Sequence, residues 1–456
     1  MKDLTKGNET TQLILFAVPM LLGNIFQQFY NMVDSFVVGR FVGITALAAV
    51  GTSFPIIFFM LSLIMGVTMG STVLISQFFG AQDHNKLKKV ISTSYIFLFL
   101  AGIVMSFIGV FSAGFILQAM SVPADVMPEA ASYLKIIFAG MLATFGYNGV
   151  AAMLRGLGDS KTPLYLLIAS TLMNIVLDLT FVLVFHWGVE GVAWATIISQ
   201  AISFIGALIL LARRKEYVAP DFKHLKWDKE IFSKMIKIGL PTGIQQTMVS
   251  LGMMVLSRIV NEFGPVTMAA YTASARIDSL ASLPAMNLSQ AITTFTGQNI
   301  GAGKVKRVKR GHLSAIVINS AISLILTITV VLFSKNLMSL FTANPEVIAI
   351  GSEYLVIVGL FYVFFGIMFI NNGVMRGAGD VFIPMINTLL ALWLVRLPCA
   401  ILFTRVFNMG TSGIWWSIPA GWGIGFIFST WYYLTGKWKT KAIVKAKREV
   451  ESIEEP

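Results

Sequence analysis

Leu154-Arg155-Gly156-Leu157-Gly158-Asp159, with Pro163 beyond it, recurs as Met375-Arg376-Gly377-Ala378-Gly379-Asp380, with Pro384 beyond. Residues 155 and 376 are 221 positions apart. Gln77, Gly80 and Ala81 return at the same offset as Gln298, Gly301 and Ala302. Val18-Pro19 is answered by Gly-Leu-Pro at 239–241, and Gly191 with Trp194 by Gly413 with Trp416, each about 222 positions on. Several matches at nearly one offset mark an internal duplication.

What is duplicated is a set of apolar runs. A hydrocarbon core of roughly 30 Å needs about 20 apolar residues per helix. Such runs fall at 13–38, 44–76, 91–117, 131–154, 163–185 and 190–212, and again at 235–257, 266–297, 312–334, 348–374, 382–404 and 412–436. The reading is an all-α integral membrane protein whose twelve transmembrane helices form two six-helix bundles. Six spans per copy bring both copies into the bilayer from the same side, so the repeat is parallel, about an axis along the membrane normal. The expected division is an amino-terminal bundle at 1–212, a polar linker at 213–234, a second bundle at 235–436 and a basic tail at 437–456.

Composition agrees. The 456 residues are 56% hydrophobic and only 12% charged, with a mean hydropathy of +0.77. Soluble domains carry about 25% charged residues, so this chain cannot coat a water-facing surface. No strand-like alternation recurs, which argues against a β-barrel. The single cysteine, Cys399, excludes a disulfide framework. Met1 to Gln12 is polar and leads into a full-length span without a cleavage-like site, so it reads as a mature first helix.

The net charge of +12 is sorted along the chain. Even-numbered loops and both tails hold Lys86, Lys88, Lys89, Arg155, Lys161 and the clusters 213–237, 304–310 and 437–448, while odd-numbered loops hold only Arg40, Arg258, Lys335 and Arg405. The positive-inside rule then puts both termini in the cytoplasm of a cell-membrane (plasma or inner) protein. The basic balance is a topology signal, and no nucleic-acid partner is expected.

Charged groups inside a bilayer cost about 2.5–3.5 kcal/mol each at mid-helix and are functional candidates by default. The first half holds two such carboxylates, Asp34 in span 1 and Asp178 in span 5. Gln27, Tyr30 and Asp34 share one helix face, as do Asn174 and Asp178, and as do Thr196 and Gln200 in span 6. By depth, Asp34, Asn174, Asp178 and Thr196 would converge in the outer half of the first bundle if their helices are neighbours. Hard oxygen donors of that kind suit a sodium ion or a shared proton. Burial and a second nearby carboxylate both favour the protonated form of a carboxyl, so such a pair can hold one proton and release it when its surroundings change. Arg276, Asp278 and Arg396 lie deep in spans 8 and 11. A structural salt bridge between Asp278 and an arginine is expected there.

The twelve-span, six-plus-six plan is similar to that of the multidrug and toxic compound extrusion (MATE) family of cation-coupled efflux transporters. So are Pro19, Gln27, Tyr30 and Asp34 followed by Gly39 and Ala46-Leu47-Ala48-Ala49-Val50-Gly51, the Gln-x-x-Gly-Ala turns and the Arg-Gly-x-Gly-Asp turns. The resemblance covers about Leu13 to Trp438 and is closer to the DNA-damage-inducible (DinF-like) branch. It implies ion coupling through Asp34 and Asp178 in the first lobe, with Tyr133 and Asn148 around the same cavity. It also implies a multidrug specificity for amphipathic or cationic small molecules, exported against proton or sodium entry by alternating access. The 23 Met, 35 Phe, 11 Tyr and 9 Trp are compatible with a re-packable apolar cavity. The protein is read as a monomer without cofactor, its only other partner being the lipid bilayer.

Two other classes fit less well. A lipid-linked oligosaccharide flippase of the related superfamily would want a cavity rich in Arg and Lys, and apart from Lys237 of the linker cluster the spans hold only Arg276, Arg396 and a peripheral Lys135. An intramembrane enzyme would want a general base, yet His84, His186, His224 and His312 fall in loops or at span ends. No Walker A loop is present.

Overall fold

The computed structural model describes residues 2–120, 122–214 and 224–444. Part of the linker (215–223) and most of the basic tail (445–456) lie outside the described residues, together with the portions of the basic clusters that fall there. Among the described residues twelve helical rods succeed one another, with no strand. They are α1 (Glu9–Val42), α2 (Ile44–Gly80), α3 (His84–Ala119), α4 (Met127–Ala139 with Met141–Gly156), α5 (Lys161–Val184) and α6 (Gly188–Arg214). The second six are α7 (Lys229–Asn261), α8 (Pro265–Gly301), α9 (Val305–Ser339), α10 (Pro345–Gly359 with Tyr362–Ala378), α11 (Phe382–Val406) and α12 (Thr411–Thr435). Nine are long and apolar enough to cross a membrane when each bent rod counts once. The others are α7, α8 and α12; in α8 the hydropathy is diluted by polar groups, which include the buried Asn287, Thr293, Thr294, Thr296, Gln298 and Asn299.

Several rods overrun their apolar cores. Helix α3 begins at His84, not 91, so Lys86, Lys88 and Lys89 sit on its first turns, and α7 begins at Lys229, inside the expected linker. Hydropathy marks only the apolar part of a helix, whereas lysine and glutamate extend it into polar surroundings without loss of propensity. Asp228 sets the start of α7. Its carboxylate accepts from Glu230 N (3.1 Å) and Ile231 N (3.0 Å) and pairs with Lys89 Nζ at 3.0 Å. The Ile231 backbone bond and the lysine hold this carboxyl below its usual range. Its stabilisation is therefore full above the unfolded-state carboxyl pKa and is lost as pH falls through the lower folded value. Asp228→Ala is expected to cost about 1 kcal/mol of capping energy. Thermal melts of both proteins at neutral pH should differ by that amount and converge in acid; equal melts at neutral pH would contradict the assignment.

The repeated Arg-Gly-x-Gly-Asp motif is a helix stop. Gly158 and Gly379 have φ of +80° and +96°, left-handed values that a side chain disfavours. Asp159 N bonds to Leu154 O (2.9 Å) and Gly158 N to Arg155 O (2.9 Å), while Asp380 N bonds to Met375 O (2.9 Å) and Gly379 N to Arg376 O (2.9 Å). This is the Schellman pattern, closing α4 and α10 alike. The aspartates then diverge. Asp159 caps α5 through Thr162 N (2.9 Å), whereas Asp380 accepts from Tyr432 OH (2.5 Å). The same two rods bend by 50° each, around Gly140 and around Leu360-Phe361, at equivalent positions of the repeat.

Two compact units result. The first comprises Met1–Lys2, Val18–Ile75 and Asp83–Gly243; the second comprises Asp3–Ala17, Ser76–Gln82 and Ile244–Pro456. Short segments of the first sequence half thus belong to the second unit. The Gln-x-x-Gly turns explain how they are held. The Gln298 Oε1 accepts Leu4 N (2.9 Å), and the Gln77 Oε1 accepts Ile443 N (3.1 Å) and Val444 N (3.2 Å). Leu4 is buried, and Glu9 pairs with Arg307 at 3.2 Å. Beside these amides the ends of α2 and α8 cross at glycine. A Cβ on Gly80 would lie 1.9 Å from Gln298 O, and one on Gly301 would lie 1.9 Å from Gln77 O.

Candidate functional site

The candidate residues of the first unit come from four rods, α1, α4, α5 and α6. Helix α1 offers Tyr30 and Asp34, one turn apart on one face, and α5 offers Asn174 and Asp178 in the same way. In each rod the α-helix loosens into a π-turn soon after the acid, at Val38–Val42 in α1 and Thr180–Val184 in α5. Single π-turns of this kind rotate the helix face beyond them and recur at functional positions.

The acids meet through an amide. In the orientation that satisfies both neighbours, Asn174 Nδ2 donates to Asp34 Oδ1 at 3.0 Å and to Asp178 Oδ2 at 3.1 Å. Asn174 and Asp178 are fully buried, while Asp34 is half-buried. The two carboxyls stand within hydrogen-bonding reach of each other, and Tyr30 reaches Asp34. Tyr30 OH in turn lies 3.1 Å from Thr196 Oγ1 of α6. Buried Tyr133 of α4 neighbours both acids. Asp178 Oδ1 is buried and accepts from nothing among the described residues. Two carboxylates at this separation repel strongly unless a proton or a cation lies between them.

The other sequence candidates stand apart from this group. Asn148 Nδ2 donates to Thr144 O (2.9 Å) within its own helix. Gln27 and Gln200 are half-buried and make no hydrogen bond to the acids; Gln200 Oε1 is a buried acceptor without a partner among the described residues. In the second unit the expected salt bridge of Asp278 does not form. Arg276 is exposed, and Arg396 directs NH1 to Met253 Sδ at 3.9 Å. Asp278 instead meets tyrosine, with Tyr354 OH donating to its Oδ2 at 3.4 Å. Tyrosine can approach a carboxylate from an apolar surround without placing a second full charge there, which makes it the cheaper partner.

One protein-family model, MatE, matches the chain twice, over residues 19–180 and 241–402. The chain belongs to the MatE family. The two matches begin 222 residues apart, close to the offset of the repeat. Curated MatE relatives extend along almost the whole chain. The Bacillus subtilis "Probable multidrug resistance protein YpnP" is 34% identical over 451 residues, covering 98% of this chain and 99% of its own length. The Thermotoga maritima "Probable multidrug resistance protein NorM" is 28% identical, covering 96% and 95%. Among solved structures, the "Outward-facing conformation of a multidrug resistance MATE family transporter of the MOP superfamily" superposes with a TM-score of 0.90 at 24% identity, over 97% of this chain and 99% of that one. That likeness shows the fold, and it extends to all twelve rods of this MatE chain.

Proposed function

We propose that this MatE-family protein is a secondary antiporter of the cell membrane. It exports amphipathic or cationic small molecules by alternating access, in exchange for a proton or sodium ion held by Asp34 and Asp178. Both termini face the cytoplasm, in line with the sorted lysines and arginines. The observation that carries the reading is the pair of acids bridged by Asn174 with Asp178 Oδ1 unpartnered. A structural pair would complete its hydrogen bonds, because an unsatisfied buried polar atom costs about 1–3 kcal/mol. An atom left open in a bridged acid pair is a place for an exchangeable cation. The names of the multidrug resistance relatives support the substrate class.

The roles divide by chemistry. Asp34 and Asp178 carry the ion, Asn174 holds them together, and Thr196 positions Tyr30 against Asp34. The donors fit either ion. With its nitrogen inward, Asn174 serves a proton-sharing pair; with its oxygen inward, the same amide would join two carboxylates and Thr196 as hard ligands for sodium. Ion arrival cancels the charge that attracts a cationic substrate, so each ligand weakens the other by the same factor. The test is transport of ethidium into or out of proteoliposomes holding the purified protein, with a proton or a sodium gradient imposed separately. One gradient should drive ethidium uphill. Transport that responds to neither would refute antiport.

A further inference from the structure

We propose that the first unit carries a lipid site: a cavity between α3, α4 and α6 takes an acyl chain of an anionic phospholipid, whose headgroup rests against Arg213 and Lys226. The cavity measures about 280 Å³. Helix α3 lines it with Tyr95 and Phe99, α4 with Leu142 and Gly146, and α6 with Phe204 and Leu208. Among all its lining side chains only that of Tyr95 carries a polar atom. An apolar cavity of about 150 Å³ stays dry and takes up benzene. This larger one has room for a run of methylenes and offers water almost nothing to bond.

The space follows from the bend of α4. That rod turns by 50° at Gly140, and Leu142 and Gly146 lie on the turns just beyond the break. Around the space the walls are already in close contact. A Cβ on Gly146 would lie 2.5 Å from Phe204 Cζ, one on Gly149 would lie 2.1 Å from Leu98 Cδ1, and one on Gly102 would lie 3.0 Å from Leu142 Cα. Helices seated on one another in this way have little freedom to close the gap. The lining atoms therefore lack dispersion partners on one side, which an inserted chain supplies.

The surroundings select the occupant. Phe99 and Leu100, both in the lining, are 55% and 52% exposed. Ile103, Phe107 and Phe111 continue that exposed apolar face along α3. In a membrane span such a face meets lipid, so what reaches the cavity comes from the bilayer. The linker end is lined by Leu225, and the exposed Lys226 follows it directly. Arg213, also exposed, stands on α6 beyond Leu208. The acids nearest in sequence are already taken, Asp228 by Lys89 and Glu230 by Lys234. Two cations thus remain for a phosphate at the apolar mouth. This stretch of linker is fastened to α3 and α7: Asp228 N donates to Thr93 Oγ1 at 3.2 Å, and the Trp227 ring lies 4.5 Å from that of Phe232, itself 5.4 Å from Phe97. A zwitterionic headgroup would bring its own cation towards Arg213 and Lys226, so a phosphatidylglycerol type of headgroup fits better than phosphatidylcholine.

The site stands apart from the acid pair and does not depend on the antiport reading. The experiment is photolabelling of the full-length protein in phosphatidylcholine vesicles doped with phosphatidylglycerol that carries a diazirine on one acyl chain, with the labelled peptides read by mass spectrometry. Label is expected to concentrate on Tyr95–Leu100 and Phe204–Leu208, and unlabelled phosphatidylglycerol should compete it away. The same diazirine on phosphatidylcholine should label the lipid-facing helices evenly. Leu208→Trp fills the cavity and should bring labelling there down to that of the exposed face of α9. Should Leu208→Trp not fold, Arg213→Gln/Lys226→Gln changes only exposed side chains and should abolish the preference for phosphatidylglycerol. Even labelling of α3 and α9 in the wild type, equal labelling by the two probes, or a wild-type pattern in either folded variant overturns the proposal. Displacement of the label by ethidium would make the cavity a chamber for exported molecules and overturn it as well.

Discussion

Asp34→Asn is expected to lower gradient-driven efflux by about 5- to 150-fold, the range spanned by coupling energies of about 1–3 kcal/mol, while leaving the protein folded. Asparagine matches aspartate in shape and can still meet Tyr30 and Asn174, so packing survives. It cannot gain or lose a proton, and as a neutral ligand it holds a cation weakly. The acid pair then becomes a single acid with nothing to share. Circular dichroism and a thermal melt check the fold, and everted vesicles with an imposed gradient read the transport. Wild-type uphill efflux by a folded Asp34→Asn protein would remove Asp34 from the mechanism.

Gly80→Val should be the most damaging change outside the acid pair. Its Cβ would lie 1.9 Å from the Gln298 carbonyl oxygen, 2.6 Å from the carbonyl carbon and 2.8 Å from Cα. These are backbone atoms at the crossing of α2 and α8, so no rotamer change relieves the clash. Overpacking ordinarily costs about 1–3 kcal/mol, and a backbone-to-backbone clash with no escape belongs in the tail above about 4 kcal/mol. The expected result is little or no folded protein by size-exclusion chromatography. Gly114→Ala is the matched control. Nothing lies within 4 Å of its Cβ, and alanine favours the helix by about 0.5–1 kcal/mol. If Gly80→Val melts like wild type, the crossing is not as close as described.

How much of this fold is legible in the sequence depends on which of its physics is local. The Arg-Gly-x-Gly-Asp motif is legible because a Schellman stop needs a left-handed residue at one fixed place, and Gly158 and Gly379 supply it. The Gln77 and Gln298 turns are legible as repeats, but their task of anchoring the chain's terminal segments is not, since Leu4 and Val444 are hundreds of residues away from their partners. Helical period groups Tyr30 with Asp34 and Asn174 with Asp178, whereas the bridging amide requires α1 and α5 to be neighbours at one depth, which no single helix encodes. The paired 50° bends are invisible because neither rod carries a proline at its break. Asp278 shows the limit most plainly. Charge arithmetic favours an arginine, but rotation about α8 and α11 turns Arg276 outward and leaves tyrosines facing the acid.

The exchange of ligand for ion is best observed directly, with no imposed gradient. Ethidium added to one side of sealed proteoliposomes should draw the coupling ion across in the opposite direction, read by a pH-sensitive or sodium-sensitive dye in the lumen. Ion movement should rise with ethidium flux in the wild type and be absent in Asp34→Asn/Asp178→Asn, whose ethidium flux should only run downhill. Substrate-driven ion movement of wild-type size in that double variant would contradict the claim that these two acids carry the ion.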